Sequence, residues 1–464
     1  MITVIGGGPA GRFAASYLAG AGEKVRIIEK SGNLGGQCLK YGCMVTCGLN
    51  DAARNLNQLA KLQKLRIVES ASETDMRVSL PNLWKELAAI QGTIFKVLDN
   101  EADLAGIEVI TGEVTISGRD IYLNGSLLPH GEGDKILIAT GSSPIIPQVK
   151  GIDLKGVYNP HTLQGMTEVP KNLLIIGGGV VAAEYAYIFS QFGSKVTLAC
   201  RSAFLRDKPE RLIKCARKEI SDVSIREYTL VEELRSADGT EDTDSKGFVA
   251  SAVLKSGKNR EEIPCDAVII ASGLRPRTDN IKGIALDDSG AIVVDDRYRT
   301  NVDGVYAAGD VTGKVFLTPY ARMQGIAAAK SIIGEKVPKI PEYIPQSVKL
   351  FYEHTFCNMD SESDSKNSVR EFSLPAPAGP GSIWSVSERY TGISYIRVDA
   401  DSGTVKGIHL SSPSSGTVGA YMAYLMNKSL NVKDFETFLE VHPSTDGLYM
   451  LVKYGDTLLT KETK

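Results

Sequence analysis

No stretch of this sequence approaches the ~20 consecutive apolar residues that a bilayer-spanning helix needs, so an integral helical membrane protein is not expected. Nor is there room for a signal peptide, because Met1 leads directly into the β-branched segment Ile2–Ile5, and a cytoplasmic protein is expected. Excess charge of one sign is also missing. With 52 Lys and Arg against 55 Asp and Glu, the formal charge of −3 gives no reason to expect nucleic acid or an anionic membrane as partner. Cysteine is sparse and odd in number: the seven are Cys38, Cys43, Cys47, Cys200, Cys215, Cys265 and Cys357. Such a set in a long chain excludes the disulfide framework of a small secreted domain. What remains, with 43% hydrophobic and 23% charged residues over 464 positions, is a soluble globular protein of about three domains.

The chain repeats itself once. Residues 2–30 (ITVIGGGPAGRFAASYLAGAGEKVRIIEK) and residues 173–201 (LLIIGGGVVAAEYAYIFSQFGSKVTLACR) superpose with Ile2 on Leu173, Gly22 on Gly193 and Lys24-Val25 on Lys195-Val196. Each segment is an apolar strand, a glycine turn, an Ala-rich helix and a second strand. Two βαβ dinucleotide folds in one chain are therefore expected. Strands are predicted at Lys135–Thr140 and Ala267–Ala271, a hairpin tip at Ser236–Gly247, a third glycine turn at 305–310 and a helix from about Pro319 to Ile333. Beyond about residue 340 the glycine turns stop. Residues 357–382 read as loops, 395–410 as a hairpin and Val418–Asn427 as a helix, together an α+β tail on an antiparallel sheet. The expected division is a first domain over 1–150, a nucleotide domain over 151–272, a return to the first over 273–340, and a C-terminal domain over 341–464.

Three places carry chemistry. Gly6, Gly8 and Gly11 form the G-x-G-x-x-G turn that admits a pyrophosphate to a helix N-terminus, and Glu29, at the end of the next strand, suits a ribose diol. In the second unit Gly177 and Gly179 are followed by Ala182, and the position equivalent to Glu29 is Cys200. Arg201 and Arg206 follow; they are either solvated surface charges or partners for the 2′-phosphate of NADP. Finally, Cys38 and Cys43 stand five apart in LGGQCLKYGC. On one ideal helix they would differ by ~140° and ~7.5 Å, too far for a disulfide. Bonding requires Cys38 in a loop and Cys43 at a distorted helix start, which Gly35, Gly36 and Gly42 permit; such a start would also lower a thiol pKa. Two unrelated thiols, or a metal site with Cys47 as third ligand, are the alternatives.

In these motifs the chain resembles the pyridine nucleotide–disulfide oxidoreductase family, and within it dihydrolipoamide dehydrogenase most. The resemblance rests on GGGPAG with Glu29, the Gly-Gly-x-Cys-x4-Cys segment, ATG at 139–141, GGGVVAAE at 177–184, GLRPRT at 273–278, YAAGDVTG at 306–313 and the His-Pro near the C-terminus. It implies an α/β fold of two Rossmann-like domains plus a C-terminal α+β dimerisation domain. It also implies FAD in the first unit, with Gly36, Thr140, Gly141, Gly273, Asp310, Thr318 and Ala321 about it, and NAD(P)H in the second with Glu184 beside the nicotinamide. Cys43 would face the flavin, Cys38 would exchange with a lipoyl-like disulfide or dithiol, and His442 would act as acid–base catalyst across a homodimer. His130, His161, His354 and His409 would have local hydrogen-bonding roles.

Two departures bear on this expectation. The glutamate the family places five residues after the histidine is Gly447, with Asp446 one residue short. The lysine expected four residues after the second redox cysteine is Cys47, and Val45 replaces the usual proline. A third, Ala182 for glycine, is tolerated in the family. Another disulfide substrate, a metal-ion reductase of the mercuric type, or a low-turnover flavin redox sensor are the alternative functions; the second is disfavoured by a tail, Tyr454–Lys464, without a cysteine pair.

Overall fold

A computed structural model describes residues 1–68, 77–237, 247–358, 369–374, 392–439 and 446–462. The repeat becomes two parallel sheets of matching order. In the first, Ile2–Ile5 lies between Val25–Glu29 and Lys135–Ile138, with Glu108–Thr111 and Val305–Ala307 outermost. In the second, Asn172–Ile176 lies between Lys195–Ala199 and Ala267–Ile270, with Ser224–Arg226 and Val157–Tyr158 outermost. The central strand Ile2–Ile5 of the first sheet and the interior strand Ala267–Ile270 of the second are buried at every position, as parallel strands covered on both faces must be. Continuous runs of Ile, Leu and Val, rather than alternation, are the sequence form of that burial.

Close glycine contacts hold helices to the sheets. A Cβ on Gly11 would stand 2.0 Å from the Gly6 carbonyl oxygen, and one on Gly325 would stand 2.1 Å from the Ala10 carbonyl oxygen. Hence the helix Pro9–Gly20 lies directly against Thr318–Ile332, bringing residues from both ends of the first unit to one turn. Of two long helices, Cys43–Lys64 was expected only at its start and Leu80–Leu104 was not read from the sequence. The first buries Val45, Leu49 and Ala53, one side chain per turn, and Gly48 admits Leu87 of the second.

The C-terminal sheet is antiparallel, in the order Gln346–Lys349, Glu353–Cys357, Val405–Ser412, Ile393–Asp399, Val369–Leu374. Helices Ser415–Met426 and Asp446–Glu462 pack on it. The expected hairpin is the pair Ile393–Asp399 and Val405–Ser412, whose first strand buries alternate residues. One expectation needs correction: the Ser- and Pro-rich stretch 357–382 includes the strand Val369–Leu374, which pairs residue by residue with Ile393–Asp399. Apolar Val369 and Phe372 on a sheet edge outweigh the turn-rich composition around them. The Ser236–Gly247 tip joins two antiparallel strands, Thr229–Ser236 and Val249–Ser256, but residues 238–246 lie outside the described residues.

Candidate redox site

A continuous cleft of about 2390 Å³ runs along the carboxyl ends of both parallel sheets. A pocket for one small ligand is typically ~300–1,000 Å³, so this cleft has room for two dinucleotides. Every predicted site residue lines it except Gly11, whose place is under the first turn, and His442, which lies outside the described residues together with its surroundings. Ligands of open α/β sheets bind at this edge, where strand order reverses.

The first half of the cleft is a cradle for a bulky phosphate-bearing group. Gly6 has φ +104°, and a side chain there would meet the Ala139 carbonyl oxygen at 2.4 Å. A Cβ on Gly36 (φ +64°) would stand 2.7 Å from Gly8 Cα, so the two backbone segments approach with no side chain between them. Glu29 accepts from the Gly7 N–H at 2.8 Å and leaves its other oxygen to Ser31. At the far wall, Asp310 accepts from Ser142 Oγ at 2.6 Å and Gln37 Nε2 at 3.4 Å, yet burial still pushes its carboxyl above the usual range. A half-buried carboxyl so held is suited to accept from hydroxyls of a bound molecule. These residues fit FAD.

The cysteines sit where this cradle meets the second half. Cys38 is not in a loop, as bonding was expected to require; it lies in the short helix Gly36–Lys40, entered through two glycines at positive φ. Gly42 breaks the chain (φ −101°, ψ −119°), and Cys43 opens the next helix, as expected. The break is what allows two residues five apart to meet. Both thiols are free and hydrogen-bonded to each other. The bond from Cys43 holds the Cys38 thiol down, to about 6, against burial, with further help from Thr318 and the Arg322 charge. The same bond pushes Cys43 up. Thr318 Oγ1 stands 3.9 Å from Cys43 Sγ at the start of its own helix. Among the described residues, no cluster of three His, Cys, Asp or Glu is placed to hold a metal, so the third-ligand role for Cys47 is not assembled.

In the second half, Gly177 (φ +143°) turns the chain within 2.2 Å of the Ala271 carbonyl oxygen, measured from a built Cβ. Cys200 is buried beneath that turn, where it directs its thiol to the Gly177 carbonyl at 3.6 Å. Arg201 and Arg206 reach the cleft, the latter mostly exposed and 3.3 Å from Asp207. Glu184 is half-buried, and burial raises it to about 7 despite an N–H from Lys349 at 3.0 Å. Lys349 escaped the sequence reading, as did Gln37 and Ser142. Each is polar and sits on a different element from the motif it serves, so no local spacing marks it.

His161 lines the cleft with its Nε2 3.2 Å from Gln37 Oε1 and its ring 4.7 Å from that of Tyr41. His354 and His409 are buried in the C-terminal sheet, where both contact Ser411. No helix among the described residues is long and apolar enough to cross a membrane.

Comparison with known proteins agrees with this geometry. A family profile described as pyridine nucleotide-disulphide oxidoreductase matches residues 1–325. Dihydrolipoyl dehydrogenase of Bacillus subtilis is 27% identical over 96% of this chain and 95% of its own length. Mercuric reductase of Lysinibacillus sphaericus is 28% identical over 96% of this chain and 81% of its own. The solved HOCl-induced flavoprotein disulfide reductase RclA of Escherichia coli superposes with a TM-score of 0.81 at 26% identity, covering 98% of this chain and 99% of that one.

Proposed function

Since the chain belongs to the pyridine nucleotide–disulphide oxidoreductase family, we propose that it reduces or reoxidises an external disulfide pair through Cys38 and Cys43. It is an FAD-dependent oxidoreductase that uses NAD(P)H. FAD, held by the Gly6–Gly11 turn, Glu29, Gly36, Thr140, Gly141 and Asp310, supplies hydride-accepting chemistry when bound. The protein's own share is thiol exchange and alignment. The observation that carries the reading is the acidic Cys38 beside Cys43 at the junction of the two halves of the cleft.

In the reducing direction, the Cys38 thiolate attacks one sulfur of the substrate and breaks its S–S bond. The departing thiolate takes up a proton. Cys43 then attacks Cys38 Sγ, loses its own proton and expels the second substrate thiolate. The two electrons gained by the substrate are those lost on closing the Cys38–Cys43 disulfide. Because Cys43 is the weaker acid, this second attack needs a base, the role assigned here to His442 of a homodimeric arrangement. Glu184 is assigned to the nicotinamide side, and Arg201 with Arg206 to a 2′-phosphate, which favours NADPH. The residue ranges 1–150 with 273–340, 151–272 and 341–464 serve as flavin, nucleotide and interface domains. A dihydrolipoyl-like dithiol is the substrate class best matched.

Titrating the flavin-loaded protein with NADH and then NADPH, while following long-wavelength flavin–thiolate absorbance, tests the reading. Cys43→Ser abolishes that band, and both Cys38→Ser and Cys43→Ser abolish turnover of dihydrolipoamide. Full dye reduction with no turnover of any disulfide refutes it.

A further inference from the structure

The lysine missing at position 47 leaves a half-buried carboxyl, Glu184, without its expected cation. Another ammonium group occupies the neighbourhood from a distant part of the chain. Lys349 ends the strand Gln346–Lys349, and its backbone is held on both sides: its N–H donates to Glu184 Oε1 at 3.0 Å, and its carbonyl accepts from Asn50 Nδ2 at 3.1 Å. Asn50 belongs to the helix that carries Cys43 and Cys47. The strand is thus clamped between the Glu184 helix and the cysteine helix. The Lys349 ammonium lies 3.5 Å from Asp51 and 4.0 Å from Glu353, and Cys43, Cys47, Glu184 and Lys349 all line the same cleft.

We propose that Lys349 supplies the cation that this chain lacks at position 47, as a positioning residue that orients Glu184 on the nicotinamide side of the cleft. The proposal rests on the assignment of Glu184 to that side. The charge of Lys349 acts on both groups in the expected sense: it lowers Glu184 and Cys47 against the burial that raises each. The other charged or titratable groups facing the pair are Asp51 and Cys38 about Cys47, and Tyr185 beside Glu184. Asp51, Glu184 and Cys38 oppose Lys349 at the thiol. The pairing with Asp51 does not consume the charge. Asp51 is mostly exposed, and a pair of that kind is weakly coupled in water, whereas Glu184 is half-buried and less screened.

The test uses the flavin-loaded protein with Lys349→Met, Lys349→Arg and the double variant Lys349→Met/Cys47→Lys. Two pH profiles are read: the rate of flavin reduction by NAD(P)H in stopped flow, and the alkylation of Cys47 quantified by mass spectrometry. Lys349→Met is expected to move both midpoints upward by about one pH unit, the lower end of the effect of a nearby opposite charge. Lys349→Arg keeps both, and the double variant, with its lysine at position 47, recovers the reduction profile. A Lys349→Met protein with normal flavin content and unmoved midpoints overturns the proposal, as does a double variant no better than the single one. Where Lys349→Met loses flavin, Lys349→Gln carries the same comparison. Failure of NADH and NADPH to reduce the wild-type flavin overturns the underlying assignment instead, and the Cys47 profile then decides the role of Lys349 alone.

Discussion

Replacing Cys43 by alanine gives a prediction whose sign changes with pH. In the wild type the hydrogen bond from Cys43 is the largest influence holding Cys38 at about 6. Without it, burial returns the Cys38 thiol to ~8.5 or above, the ordinary range of a cysteine. At pH ~6.5 the thiolate fraction then falls from ~0.76 to ~0.01, about 75-fold. A more basic thiolate is also a better nucleophile, and a Brønsted slope of ~0.45 over ~2.5 units returns a factor of ~13. The variant should therefore react with a small neutral disulfide about 6-fold more slowly than wild type at pH ~6.5 and about 10-fold faster at pH ~9. The two curves cross near pH ~7.4. The assay follows formation of the mixed disulfide on the Cys38 peptide of the pre-reduced protein by mass spectrometry across that range. Parallel curves that never cross would show that Cys43 does not set the acidity of Cys38, and the nucleophile assignment would lose its physical basis.

Three further outcomes follow from the same geometry. Gly36→Ala places a methyl 2.7 Å from Gly8 Cα at positive φ, and the purified protein should lose most of its bound flavin absorbance while keeping its far-ultraviolet dichroism. Arg201→Ala/Arg206→Ala should raise KM for NADPH about tenfold, the loss of ~1.4 kcal/mol of phosphate contact, and leave KM for NADH nearly unchanged. Asp310→Asn should stabilise the flavin-free protein and weaken FAD binding, measured by melting and by fluorescence titration. The sign is fixed by burial: because Asp310 is raised in the fold, its favourable contribution is complete below the unfolded value of ~3.9 and is lost as pH rises through the folded value. The melting advantage of Asp310→Asn should accordingly grow with pH across that window, and an advantage independent of pH would contradict it.

Much of this molecule was legible in its sequence because the relevant interactions are local. A glycine turn between an apolar strand and an Ala-rich helix reports its own purpose, and the repeat at Leu173 made the second sheet readable from the first. The pair Ile393–Asp399 and Val405–Ser412 was equally plain from its alternation. The long helix Leu80–Leu104 was missed because its pattern is weak, and only Leu80, Gln91, Leu98 and Ala102 are buried in it. The strand Val369–Leu374 was hidden by its neighbours' composition. Lys349 was invisible for a different reason: its meaning comes from Glu184 and Asn50, which approach it only in three dimensions. The break at Gly42 was expected, but the short helix that carries Cys38 was not, since five residues are too few to show periodicity.

The order of strands in the first sheet has a consequence for synthesis of the chain. Lys135–Ile138 is paired on one side with Ile2–Ile5, but its other partner, Val305–Ala307, is made only after the whole second sheet. At typical ribosomal speeds of ~5–20 residues per second, roughly 165 residues of delay amount to ten to thirty seconds. Through that interval the nascent chain carries an unprotected apolar strand edge, the kind of surface on which chains join one another. Helix Thr318–Ile332, which carries Thr318 to Cys43, emerges later still. A ribosome paused after residue 300 would thus have made every strand of the nucleotide unit while the flavin unit still lacks its last strand.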